Sequence, residues 1–147
     1  MQRRHFLSVF LGGVTTLLLV PIHALAATWN KRAFEATKFS NAANDLAIKN
    51  EIPSQDIDIN APDRAENGAI VQVEINSRIP NTESIAIFVE HNPTTLIGHF
   101  TFANGALPRL VTRIKMAETS DVKVVVKASD QYFTAAKNVV VLENGCG

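Results

Sequence analysis

The chain's only cysteine, Cys146, stands between Gly145 and Gly147 at the end of "NVVVLENGCG". A thiol is both a nucleophile and an attachment point, and its thiolate is the reactive form. Catalysis by a cysteine needs a histidine base and a third group that orients it. Cys146 has neither nearby in sequence, and the adjacent terminal carboxylate disfavours its thiolate. The flanking glycines leave its backbone almost unrestrained and add no side chain that would obstruct a narrow channel. Such a thiol suits being carried into another protein's active site. Measured from Leu142, an extended tail holds the sulfur roughly 13–14 Å beyond the last strand, at about 3.3–3.6 Å per residue. An odd cysteine in an exported chain can also form an intermolecular disulfide. An incidental cysteine at a frayed terminus is the remaining alternative, and a buried structural role fits a penultimate residue poorly. A prenyl anchor would need three residues after the cysteine, where only Gly147 follows.

Other chemistry is sparse. His91 and His99 are the only histidines after the N-terminal segment, and neither has a second ligand at metal spacing. No Gly-rich loop opens a helix to cradle phosphate, and the Asn-Gly of "AENGA" (residues 65–69) reads as a turn into a strand. Asp121 and Asp130 fall at turn or solvated positions, and no carboxylate pair stands out for acid–base work. The expectation is a protein with no metal and no cofactor.

The elements that must present Cys146 are mostly strands. "IDINAP", "AIVQVEINSRI", "ESIAIFVEH", "TLIGHFTF", "RLVTRIKMA", "DVKVVVKAS" and "QYFTAAKNVVVL" are seven runs rich in β-branched and aromatic residues, separated by Asn, Gly, Pro and Ser-Asp turn signals. Val71, Val73 and Ile75 alternate with Gln72, Glu74 and Asn76, and Val122, Val124 and Val126 alternate with Lys123 and Lys127. That predicts antiparallel strands with one buried and one solvated face. Seven short strands at spacings of about ten residues predict a mainly β fold, an immunoglobulin-like antiparallel β-sandwich, with a small barrel as the alternative. Before them, residues 29–51 carry helical spacing in Ala33, Phe34, Ala36, Thr37, Ala43, Leu46 and Ala47. One broken helix or two short ones satisfy it equally. Ser40-Asn41 is a candidate internal cap, and Pro53 the stop.

The first 26 residues combine Arg3-Arg4, an apolar run from Phe6 to Ile22 and a small-residue Ala24-Leu25-Ala26 end, the order of a secretory signal. Arg3-Arg4-His5-Phe6-Leu7 resembles the twin-arginine signal for cargo exported already folded, which implies a periplasmic protein with no membrane anchor in its mature form. Removing Arg3 and Arg4 leaves 12 basic residues against 14 acidic, formally −2, with no basic footprint for nucleic acid and no basic amphipathic stretch for a membrane surface. The expected organisation is a signal over 1–26, a helical segment over 27–52, a sandwich over 53–142 and a Cys-bearing flexible arm over 143–147.

Several stretches resemble the SoxY family, the sulfur carriers of periplasmic thiosulfate oxidation. "AENGAIVQVEI", "ESIAIFVEHNPTTLIGHF" and "TRIKMAETSDVKVVVKA" are similar to its strands and turns, and Gly145-Cys146-Gly147 to the core of its Gly-Gly-Cys-Gly-Gly arm. Asn144 stands where that arm has its first glycine, and the chain stops at Gly147, one glycine short. The resemblance implies covalent attachment of the sulfur substrate at Cys146, with Asn144, Gly145 and Gly147 giving the arm its flexibility. It implies a carrier and not an enzyme, working as a heterodimer with a SoxZ-like subunit. Docking would be transient to a haem-containing loading enzyme, a sulfate-releasing hydrolase and a sulfur dehydrogenase. The rival expectation is a structural periplasmic sandwich dimerised by an interchain Cys146 disulfide.

Overall fold

The computed structural model describes residues 29–143. The expected signal (1–26) and the expected arm residues Asn144, Gly145, Cys146 and Gly147 lie outside the described residues. Two short helices, α1 (Lys31–Glu35) and α2 (Phe39–Asp45), precede nine strands. These are β1 (Ile52–Pro53), β2 (Ile57–Asn60), β3 (Arg64–Asn67), β4 (Val71–Ser77), β5 (Thr82–Val89), β6 (Leu96–Thr101), β7 (Arg109–Ile114), β8 (Ser120–Ala128) and β9 (Gln131–Glu143). The seven expected runs are β2 and β4 to β9, in order.

The strands form the two layers of a β-sandwich. One sheet runs β1-β9-β8-β5-β6, with β3 also on β9, and the other runs β2-β4-β7. Between the layers lies a core of β-branched side chains, including Val71, Val73, Ile75, Ile85, Ile87, Val122, Val124, Val126 and Val139. The smaller sheet behaves as its alternation predicts, with Val71, Val73 and Ile75 inside and Gln72, Glu74 and Asn76 turned outward. The larger sheet does not. Ala86, Phe88 and Val125, on its other face, are also buried, packed with Ala33, Ala42, Ala43 and Ile48 of the N-terminal segment. The helices cap this face, and β5 and β8 are buried on both sides. The uninterrupted apolar run Ile85–Val89 is the mark of such a strand.

Other expectations are corrected in detail. Helix α2 begins after Lys38, with no side-chain cap, so Ser40 and Asn41 lie inside its first turn. It ends at Asp45, and Pro53 belongs to β1. The side-chain cap is instead Asn30, whose Oδ1 accepts from Ala33 N at 3.2 Å while its Nδ2 donates to Asp45 O at 2.8 Å. One residue thus starts α1 and ties it to the end of α2. Two strands escaped the sequence reading: β1 and β3 both pair with β9 in parallel, Ile52 opposite Phe133 and Arg64 opposite Val140. The β8–β9 connection is a two-residue hairpin in which Ser129 and Asp130 both have positive φ, 49° and 61°. That is the geometry whose twist matches the flanking strands.

Candidate functional site

β9 is 13 residues long and outruns its neighbour. β8 accompanies it only from Gln131 to Val139. The last four residues, Val140–Glu143, need other partners for their backbone groups. On one side β3 supplies them: Val140 N donates to Asp63 O at 3.0 Å and Gly68 N to Glu143 O at 2.9 Å. On the other side a side chain does so, with Val141 N donating to Thr119 Oγ1 at 2.9 Å. The strand runs through Glu143, one residue past its expected end, so the segment carrying Cys146 departs from an ordered ladder.

The hydrogen bonds around this exit form a connected set. Met116 N donates to Gly68 O at 2.7 Å, joining the β7–β8 loop to the turn after β3. Asn92, in the β5–β6 turn, holds that loop at two points. Its Nδ2 donates to Lys115 O at 2.7 Å, and its Oδ1 accepts from Ala117 N at 2.8 Å. His91 sits beside it. His91 N donates to Ser120 Oγ at 3.3 Å, and its ring Nδ1 lies 2.8 Å from Thr119 O. A carbonyl only accepts, so Nδ1 carries the proton and Nε2 is left as the acceptor of the neutral ring. Glu118 Oε1 is 3.6 Å from the same Nδ1, with both side chains more than half exposed, an arrangement worth little to stability. Four connections thus converge on one end of the sandwich: the β3–β4 turn, the β5–β6 turn, the β7–β8 loop and the end of β9.

Sequence reasoning set His91 aside for want of a partner, and missed Asn92 and Thr119 altogether. Asn92-Pro93 was legible as a turn, yet only the fold shows that the turn side chain reaches the β7–β8 loop. His99 lies elsewhere, in β6, where it lines a small cavity of about 80 Å³ with Leu46, Ile48, Ser84, Lys127 and Tyr132. Partial enclosure there holds its imidazole below its ordinary pKa of 6.5. Lys127 in the same wall donates to Glu83 Oε2 at 2.6 Å, which raises its pKa. Asp121 accepts from Asn138 Nδ2, and Asp130 is the exposed turn residue 3.5 Å from Lys127 Nζ. Among the described residues, no three His, Cys, Asp or Glu side chains group in a way that could hold a metal ion. No described helix is long and apolar enough to cross a membrane.

The fold agrees with what the chain resembles. A family model for the sulfur oxidation protein SoxY matches residues 43–146. Among solved structures, the sulfur carrier protein SoxY from Chlorobium limicola f thiosulfatophilum is 32% identical with a TM-score of 0.62, over 67% of this chain and 90% of that one. A superoxide reductase (neelaredoxin) from Ignicoccus hospitalis, 18% identical with a TM-score of 0.51 over 58% of this chain and 79% of that one, shares the fold alone. No curated protein matches. The family match takes in all nine described strands, the hydrogen-bonded set at the end of β9 and Cys146 itself, and the chain belongs to the SoxY family of sulfur oxidation proteins.

Proposed function

We propose that the protein is a covalent carrier of thiosulfate oxidation and that Cys146 is the attachment point. The observation that carries this reading is a family match that runs to Cys146, the one thiol in the chain. A structural neighbour described as a sulfur carrier protein supports it.

The chemistry divides into four balanced steps, all performed by partners. A haem-containing enzyme withdraws two electrons as the Cys146 thiolate joins the outer sulfur of thiosulfate, giving Cys-S-S-SO₃⁻. Water then cleaves the terminal S–S bond in a hydrolase, releasing sulfate and two protons and leaving a persulfide. A sulfur dehydrogenase takes six electrons from that sulfur as three waters supply its oxygens, giving Cys-S-SO₃⁻ and six protons. The second hydrolysis releases sulfate and two protons and regenerates the thiolate. The carrier contributes a single attachment atom and mobility, which Asn144, Gly145 and Gly147 provide in this reading, and no catalytic group of its own.

The proposal places the protein in the periplasm, exported folded by the twin-arginine route and paired with a SoxZ-like subunit. Leu107 and Val111, 82% and 58% exposed, are apolar side chains of the kind such a partner covers. The test is Cys146→Ala in a strain lacking other copies. The variant folds normally and thiosulfate-dependent sulfate production stops; retained production defeats the reading.

A further inference from the structure

The terminal segment of β9 has no second strand beside it, yet it is held on both sides. On the inner side the holder is a side chain, Thr119 Oγ1, on Val141 N. On the outer side it is β3 and its turn, which Met116 N ties through Gly68 O to the β7–β8 loop. That loop carries both Met116 and Thr119, and Asn92 pins it at Lys115 O and Ala117 N. Two side chains from different loops therefore add to the backbone ladder with β3 and the buried Val141 side chain in holding Val140–Glu143.

We propose that Asn92 and Thr119 are positioning residues: a clasp that fixes the pivot of the Cys146 arm at Glu143. The inference rests on the carrier reading for its functional consequence and on the geometry alone for its structural one. With the clasp closed, Cys146 stands three residues along the chain from Glu143. With it open, Val140–Glu143 leave the ladder, and the pivot retreats to Val139, the last residue paired with β8, seven residues from the thiol. A tether's effective concentration falls as about the −3/2 power of its length, so full release dilutes the thiol about 3- to 4-fold at a docked partner's entrance. Neither residue touches substrate in this scheme. Each acts by setting where a short arm starts.

The test uses the mature protein with its partner subunit, as Thr119→Val, Thr119→Ser, Asn92→Ala and wild type. Thr119→Val keeps the shape and deletes the acceptor, whereas Thr119→Ser keeps the acceptor. Residue-resolved amide exchange is read at Val140–Glu143 and Gly68, with Val122–Val126 in the sheet interior as the internal standard. The expected result is faster exchange at the first set and none at the second in Thr119→Val and Asn92→Ala, with Thr119→Ser like wild type. In the reconstituted pathway at limiting carrier, kcat/KM for the same two variants falls by up to about 3- to 4-fold, the full-release limit, and an extra-stable background variant of the fold does not restore it. Unchanged exchange at Val140–Glu143 overturns the clasp whatever the function. Faster exchange with unchanged kcat/KM overturns the positioning role. Cys146→Ala in the same assay separates these failures from failure of the carrier reading, because its retained turnover would indict only the latter. Should Asn92→Ala not fold, Asn92→Asp, which keeps the acceptor for Ala117 N and loses the donor to Lys115 O, carries the same expectation at reduced size.

Discussion

Replacing Phe88 with alanine tests whether the N-terminal helices belong to the folded domain or merely rest on it. Phe88 is 1% exposed in β5, on the face of the larger sheet turned away from the smaller one. Its ring meets Phe39 of α2 edge-on, with centroids 4.9 Å apart and planes at 78°. Lys123, directly opposite Phe88 on β8, sets its Nζ 3.8 Å from the Phe39 ring centroid and 2.7 Å from Glu51 Oε2. The substitution therefore removes the ring from this second core and leaves a cavity under α2. Phe→Ala at a buried site costs about 3–5 kcal/mol, and the edge-to-face pair accounts for about 0.5–1.5 of it. With a urea slope of about 1.5 kcal/mol/M for a domain of this size, a loss of about 4 kcal/mol lowers the midpoint by roughly 2–3 M. Circular dichroism of wild type and Phe88→Ala across a urea series measures this. The rate at which a small alkylating reagent modifies Cys146 in the folded baseline stays unchanged, since the clasp lies at the end of the sandwich. A midpoint shift below about 0.7 M, equivalent to about 1 kcal/mol, would refute the claim that this face is a second core.

Other perturbations probe other parts of the account. Replacing Ser129-Asp130 with Asn-Gly suits two positive-φ positions better and raises stability by up to about 1 kcal/mol, read as a higher unfolding temperature. His99 has a folded pKa below its ordinary 6.5, so its contribution to stability is complete above about pH 6.5 and is lost as pH falls through the lower folded value. His99→Gln should therefore flatten the acid side of the stability profile beginning near pH 6.5, and an unaltered profile from denaturant midpoints would contradict this. Gly145→Pro fixes one backbone angle near −65° and biases Asn144 towards extended conformations, so pathway turnover falls while the unfolding temperature holds. Adding a glycine after Gly147 leaves folding untouched and is tolerated better than the proline, as turnover at limiting carrier will show.

Which parts of the molecule were legible follows from where the information sits. The seven runs carry their own periodicity, so their strands could be read locally. β1 has two residues and β3 four, too short for any period, and both pair along the edge of β9 opposite β8, β1 at Phe133–Thr134 and β3 at Val140–Glu143. The second buried face was half visible: Ile85–Val89 is apolar without a break, but nothing in the run says that α1 and α2 cover it. The turn at Ser129-Asp130 was marked by its residue types, but its left-handed backbone was not. Cys146 stood out by its chemistry, as a single thiol between glycines, and its role as the attachment point is the proposal itself. The clasp was not, because Asn92 and Thr119 are ordinary loop residues until the fold brings them to the end of β9.

The most direct test of the central claim is the intact mass of the protein taken from the native periplasm during thiosulfate oxidation, with the C-terminal peptide sequenced by fragmentation. The carrier account predicts monomeric chains bearing thiosulfonate or persulfide adducts on Cys146, and none on Cys146→Ala. Quantitative conversion to a disulfide-linked dimer with no monomeric adduct, or adducts that persist without Cys146, would contradict it.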